Sequence, residues 1–370
     1  MIKQSFFIYL LLIGLIGFAG CEKDNGSDNE PHLVDKLHIK LLPPAGNKIY
    51  HSAFPDFGGT EDHISVTAIK SFESLAGKPI TWAYFSNNWL PETGGIVFPR
   101  EDVQTIHSAG RIPFIRLMPR VNFDEGGPDP VYTMRRFIDG DFDSQLKRWA
   151  RDAKSMGFPL LAEFGTEVNG NWFPWNAQYN GKDSKTSYGS TDLYDGMERF
   201  RDAYRHIIDI CRQEGAENIT WFFHCDVNSF PEVDWNNRKG YYPGDEYIDW
   251  IGVSAYGNQM SGEDWRDFED ILADEWDDIQ SISPKGKPIA IVEWGTVDNV
   301  QHQKPQWISD AINSVIPGGQ FYPDIKAISY WHENWEGVHL RIDSSPEAIA
   351  AYQQGVADNV FISEGVFNRE

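Results

Sequence analysis

Short apolar runs rich in β-branched and aromatic residues recur along this chain, and amphipathic stretches fill most of the gaps between them. Runs at 49–54 (IYHSAF), 79–87 (PITWAYFSN), 112–118 (IPFIRLM) and 159–167 (PLLAEFGTE) predict the first four strands. Runs at 219–227 (ITWFFHCDV), 247–256 (YIDWIGVSAY), 288–296 (PIAIVEWGT) and 325–334 (IKAISYWHEN) predict four more. Helical spacing of apolar positions marks 63–77, 101–110, 141–157, 191–215, 263–282, 304–316 and 345–358. Strands that are apolar on both faces and separated by helices belong in a parallel sheet covered on both sides. Eight such units close into a (β/α)8 TIM barrel, an α/β fold. An open doubly wound sheet is the competing arrangement, but no glycine-rich phosphate-binding turn follows any of the strands.

The first residues follow a different pattern. Lys3 precedes the apolar run SFFIYLLLIGLIGFAG, which is short for a membrane span and predicts a signal peptide over residues 1–20. Small residues directly before Cys21 resemble a bacterial lipoprotein signal, in which that cysteine is lipidated and becomes the new N-terminus. Residues 21–35 are polar and acidic and predict a disordered tether. An acidic stretch at that place also resembles the surface-export signal of some bacterial lipoproteins. The expectation is an extracytoplasmic protein, lipid-anchored to the outer membrane and facing either the periplasm or the cell surface. Residues 36–370 then form one domain, which is expected to act as a monomer.

Composition narrows the partners. The formal net charge of -23 argues against nucleic acid or any other polyanion, and favours a neutral ligand. Several of the 14 Trp fall in loop-like contexts beside Asn and Gly, where a flat ring face can stack on a sugar. Besides Cys21 there are only Cys211 and Cys225; their spacing gives no metal site and leaves a disulfide open.

A barrel places its chemistry at the C-terminal ends of the strands. Glu167 ends the predicted fourth strand, Tyr256 the sixth, and Glu293 lies near the end of the seventh. Arg116 and Arg120 lie late in the third strand and just beyond it; Trp331, His332, Glu333 and Trp335 sit at or past the end of the eighth. Two carboxylates facing each other across such a mouth suit glycoside hydrolysis. One protonates the leaving oxygen, and the other attacks the anomeric carbon or activates water. The acid needs a raised pKa, which the apolar neighbours of Glu167 could supply; the nucleophile should stay ionised, with Tyr256 and Arg116 as donors. Asn169, Trp172 and Trp175, in the loop after Glu167, and His332 are further candidate sugar contacts. Glu163 is expected to be a buried, paired carboxylate deeper in the barrel, and His224 a buried, hydrogen-bonded histidine rather than a catalytic one. Asp245 and Asp249 are expected to buttress the approach to the sixth strand.

Four segments carry a resemblance. TEVNGNWFPW (166–175) looks like the acid/base segment of glycoside hydrolase family 26, and KPIAIVEWGT (287–296) like that family's nucleophile strand. YYPGDEYIDWIGVSAYG (241–257) and LRIDSSPEAIAAY (340–352) resemble its strand-six approach and its closing segment, in the same order. The resemblance implies a retaining, endo-acting (β/α)8 enzyme with Glu167 as acid/base, Glu293 as nucleophile and Tyr256 as the hydrogen-bond partner of Glu293. It implies Trp172 as a sugar platform and Trp335 or Trp331 as the floor under the sugar being cleaved, with no metal or organic cofactor. The family acts mostly on β-1,4-mannan, and in some members on mixed-linkage β-glucan or β-1,3-xylan. Thr166 stands where the family pattern has His; it is shorter and uncharged, which touches the choice of sugar more than the catalysis. A transglycosylase and a non-catalytic glycan-binding lipoprotein are the other classes this scaffold could serve.

Overall fold

The computed structural model describes residues 39–259, 263–298, 303–335 and 337–369. Cys21, the signal peptide and the tether lie outside the described residues. Among the described residues, no helix is long and apolar enough to cross a membrane.

Eight parallel strands form a closed barrel: β1 (Ile49–Phe54), β2 (Trp82–Asn88), β3 (Ile112–Met118), β4 (Leu160–Phe164), β5 (Ile219–Asp226), β6 (Trp250–Tyr256), β7 (Ile289–Gly295) and β8 (Ile325–Trp331). Each pairs with the next, and β8 returns to β1 with Tyr50 opposite Ala327 and Phe54 opposite Trp331. Outside the barrel, Ile39–Leu41 pairs antiparallel with Phe367–Arg369. The carbonyl of Leu41 accepts from Trp250 Nε1 at 3.0 Å and its N–H donates to Thr220 Oγ1 at 2.8 Å, which ties this ribbon to the N-terminal ends of β5 and β6.

Most predicted helices are present, including Val66–Ala76, Asp143–Ser155, Asp195–Gln213 and Pro346–Val356. The predicted helix over 263–282 is instead two short ones, Phe268–Ala273 and Trp276–Gln280. A short helix at Met134–Ile138, capped by Thr133 Oγ1, was not signalled by periodicity because it is under two turns long.

The barrel interior is layered by the two-residue period of its strands. Near the N-terminal ends, Tyr50, Trp82, Phe114, Phe222 and Trp250 pack as one aromatic layer, with Phe222 stacked on Trp250 at 5.6 Å. Two residues further along, the same strands carry Tyr84, Arg116 and His224, and β4 carries Glu163. An apolar floor therefore supports a polar layer, and the polar layer supports the site.

Candidate active site

The segment after β4 is shaped to present Glu167. Gly165 turns the chain at φ +66°, and a Cβ there would meet Phe200 at 2.7 Å and Trp175 at 3.0 Å, so only glycine fits. Glu167 itself has φ +46°, a left-handed conformation that costs a non-glycine residue about 1–3 kcal/mol. Hydrogen bonds on either side hold it there: Trp175 Nε1 donates to the Thr166 carbonyl at 2.7 Å, and the Gly170 N–H to the Glu167 carbonyl at 2.8 Å. This corrects the expected strand over 159–167, which ends at Phe164. Simple alternation from Glu163 therefore does not set the direction of Glu167.

Glu293 is re-aimed in another way. Ile291 pairs with Val253, but Glu293 pairs with Ser254, so Val292 is an extra residue in β7 and the ladder to β8 breaks at the same place. Such bulges redirect side chains at barrel rims. Glu293 Oε2 accepts from the Tyr256 hydroxyl at 2.8 Å, and Oε1 lies 3.4 Å from Arg116 Nη2. Burial and the Glu293 charge push the Tyr256 phenol well above its ordinary pKa, so it remains a donor.

One carboxylate oxygen of Glu167, one of Glu293 and one ring nitrogen of His224 all lie within 4.8 Å of one another. Among the described residues this is the one convergence of three ligand-type side chains. Both ring nitrogens of His224 are already in hydrogen bonds, so the cluster is better suited to proton chemistry than to holding a metal. Burial raises Glu293 to about 7, Arg116 pulls it down, and Glu167 pushes it up. Burial thus opposes the ionised form expected of the nucleophile, and Arg116 favours it.

The cleft around this pair has about 740 Å³ of space and is lined by every barrel strand but the second, or by the loop after it. Arg116, Trp172, Tyr256, Trp331 and Trp335 all line it. Trp172 Nε1 donates to Glu167 Oε2 at 2.8 Å. Trp331 is buried on a parallel stack with Phe54, at 4.2 Å and 11°. Trp335 is 37% exposed on the hairpin Asn334–Trp335/Val338–His339. Arg116 is buried; it bonds Glu61 and faces Glu163 and Glu293.

Three predicted sugar contacts are not in the cleft. Trp175 is fully buried, stacked on Phe173 at 4.4 Å with its N–H already spent on Thr166. Asn169 is buried too. Its amide donates to the carbonyls of Asp226 and Asn228 and to Ser229 Oγ, and its carbonyl accepts from the Asp226 N–H. It bolts the loop after β4 to the end of β5. His332 points away from the cleft: Nδ1 accepts from the Ile342 N–H at 3.1 Å, and the ring packs on Phe72. Burial lowers its pKa to about 3, so it is neutral.

Glu163 and His224 are buried and paired as expected, with Nδ1 3.0 Å from Glu163 Oε2. Burial alone would raise Glu163, but His224, Arg116 and Tyr84 outweigh it and keep the carboxylate ionised. Asp245 and Asp249 accept from Tyr242, Ser283 and the Trp221 N–H, the buttressing expected of them. Cys211 and Cys225 are buried free thiols. Sequence reasoning left Glu61, Asp226 and Phe230 out of the site and placed Glu333 at the barrel mouth without a role; all four line the cleft. For Glu333 a signal existed: it lies two residues beyond Trp331, and even spacing gives both the same side.

The closed barrel thus brings together at its mouth one glutamate from the loop after β4 and one from β7. Residues 133–302 match the family model described as Glycosyl hydrolase family 26. The chain is similar to Endoglucanase H of Acetivibrio thermocellus, at 29% identity over 79% of this chain and 29% of the relative. It is also similar to a Mannan endo-1,4-beta-mannosidase of Bacillus subtilis, at 29% identity over 40% of this chain and 33% of the relative. The chain thus spans about a third or less of the length of these two relatives. Among solved structures, it is similar to the catalytic domain of a Bacillus sp. JAMB-750 endo-beta-1,4-mannanase, at TM-score 0.62 and 18% identity over 86% of this chain and 88% of that one. A Cellulomonas fimi endo-beta-1,4-mannanase follows at TM-score 0.59 and 18% identity, over 85% of this chain and 72% of that one. Likeness at that identity concerns the fold.

Proposed function

We propose that this chain is a retaining, endo-acting glycoside hydrolase that cleaves internal β-linkages of a neutral polysaccharide, with β-1,4-mannan as the leading substrate. The observation that carries the reading is the facing pair Glu167 and Glu293, with carboxylate oxygens within 4.8 Å. Retaining enzymes hold their carboxyls about 5–5.5 Å apart, and inverting ones about 6.5–9.5 Å, to leave room for water. Glu293 attacks the anomeric carbon while Glu167 gives its proton to the leaving oxygen; the glycosidic C–O bond breaks as a glycosyl ester forms. Glu167 then takes a proton from water, whose oxygen displaces Glu293 from the anomeric carbon. The first step needs Glu293 ionised, and Arg116 and Tyr256, both aimed at Glu293, favour that form.

Mixed-linkage β-glucan is the second reading, favoured by the long match to Endoglucanase H. β-1,3-xylan is a further alternative. The N-terminal reading also remains a proposal: Cys21 lipidated, and a monomer held outside the cytoplasm at the outer membrane.

The test incubates the full chain with galactomannan, glucomannan, mixed-linkage β-glucan, β-1,3-xylan and β-1,4-xylan, beside Glu167→Gln and Glu293→Gln. New reducing ends from one polymer, lost by several orders of magnitude in both variants, establish the enzyme and name its substrate. Near-normal turnover by Glu293→Gln sinks the mechanism. Binding without release on this panel transfers the reading to a glycan-binding protein, and lengthened products to a transglycosylase.

A further inference from the structure

His224 projects from β5 into the polar layer beneath the two cleft carboxylates, and it is fully engaged. Its Nδ1 lies 3.0 and 3.1 Å from the two oxygens of Glu163, 2.7 Å from Thr166 Oγ1 and 3.2 Å from the Tyr84 hydroxyl. Its Nε2 lies 2.8 Å from Ser254 Oγ. Thr166 is the residue before Glu167, and Ser254 is the register partner of Glu293. One imidazole therefore holds the neighbours of both glutamates.

The charge around it is one-sided. Glu163 from β4, Glu167 from the following loop and Glu293 from β7 all face the ring; Asp226, on its own strand, is pushed toward its neutral form by burial and by Glu167. Arg116 from β3 already faces Glu61, Glu163 and Glu293, while Arg238 lies on the Asp226 side and bonds that residue's carbonyl. An ionised Glu163 can only accept, so Nδ1 carries a proton. A second proton on Nε2 finds an acceptor in Ser254 Oγ, whereas a neutral ring would leave this buried group of carboxylates with one guanidinium.

We infer that His224 is a buried imidazolium and a positioning residue for the active pair: through Thr166 it fixes the segment carrying Glu167, through Ser254 it fixes the strand opposite Glu293, and its charge favours ionised Glu293. Burial acts against the imidazolium, and Glu163, with Glu293 and Glu167 behind it, more than offsets that, leaving the ring above its ordinary pKa. The kinetic part of the inference rests on the proposed hydrolase; the charge itself does not.

The experiment therefore has two readouts on the full chain. In protein labelled with 15N-histidine, one ring stays protonated on both nitrogens at about pH 8, and its signal is absent from His224→Asn. In kcat/KM profiles, His224→Gln moves the acidic limb upward by about one pH unit, because losing the cation makes Glu293 harder to ionise; below the limb this is a tenfold loss. Ser254→Ala, which keeps His224 in place, moves the limb the same way by less, and carries the test if the histidine variants do not fold. Absence of any doubly protonated ring at about pH 8 overturns the inference, as does an unmoved limb in variants with normal melting. If no polysaccharide is cleaved, the hydrolase reading fails while the spectrum still decides the charge of His224.

Discussion

The indole N–H of Trp172 donates to Glu167 Oε2 at 2.8 Å, so a ring that lines the cleft also orients the acid/base candidate. The two roles can be separated. Trp172→Phe keeps an aromatic face and deletes the donor. A hydrogen bond to a charged group contributes about 1.5–3 kcal/mol, which corresponds to roughly a 10–100-fold fall in rate. We expect that fall in kcat with KM little changed. Trp172→Ala should add a rise in KM. Steady-state kinetics on the polymer that proves to be the substrate checks this; a pure KM effect in Trp172→Phe would show that the hydrogen bond is incidental.

Tyr256 makes the corresponding contact on the other side, with its hydroxyl on Glu293 Oε2. Glu293 already sits at about 7 because burial opposes its charge. Tyr256→Phe removes a donor that favours the ionised form, so its pKa rises further. The acidic limb of kcat/KM should move to higher pH, with a roughly tenfold or larger loss at acid pH. The fold should be little affected, since Tyr256 is half-buried at the rim. A limb that moves down, or does not move, contradicts the arrangement.

What was legible in the sequence was whatever follows a period. Eight apolar runs with helices between them gave the barrel, and their ends placed both glutamates at its mouth. Alternation could also have separated Trp331 and Glu333, which share the cleft side, from His332 between them, which faces Ile342 and Phe72. What was not legible depends on breaks in period: the positive φ at Gly165 and Glu167, and the extra residue at Val292. Asn169 and Trp175 were misread for a chemical reason. A polar or aromatic side chain in a loop can bind sugar, or it can satisfy the loop's own buried backbone. In the folded chain these two do the second.

That reassignment has a measurable consequence. Asn169→Ala strands the Asp226 N–H and removes the donor to the carbonyls of Asp226 and Asn228 and to Ser229 Oγ. A loss of about 2–4 kcal/mol is expected from leaving buried partners unmatched. Trp175→Ala should cost about 3–5 kcal/mol through the cavity it leaves. Denaturant unfolding measures both. If Asn169→Ala instead keeps full stability and raises KM, its side chain serves the substrate after all.

Glu333 offers a test at a residue the sequence placed at the barrel mouth without a role. Its carboxyl is buried at the cleft wall, and Oε2 accepts from Trp331 Nε1 at 3.1 Å. Burial first, then the charges of Glu61 and Asp56, raise it to about 8, against the opposing effects of Trp331 and Arg116. An unfolded chain releases this proton near the ordinary glutamate value of 4.5. Between those values the folded state holds a proton that the unfolded state has lost, so this residue's contribution to stability falls as pH rises. Glu333→Gln keeps a neutral group of similar shape and removes the titration. The melting temperature of the native chain relative to Glu333→Gln should therefore decline from about pH 5 to about pH 8.5. A neutral carboxyl can also donate to a sugar hydroxyl, and an ionised one cannot. KM of the native chain should then rise above about pH 8, while that of Glu333→Gln stays level. A melting difference that is flat across this range would mean that Glu333 is ionised throughout, and both expectations would fall together.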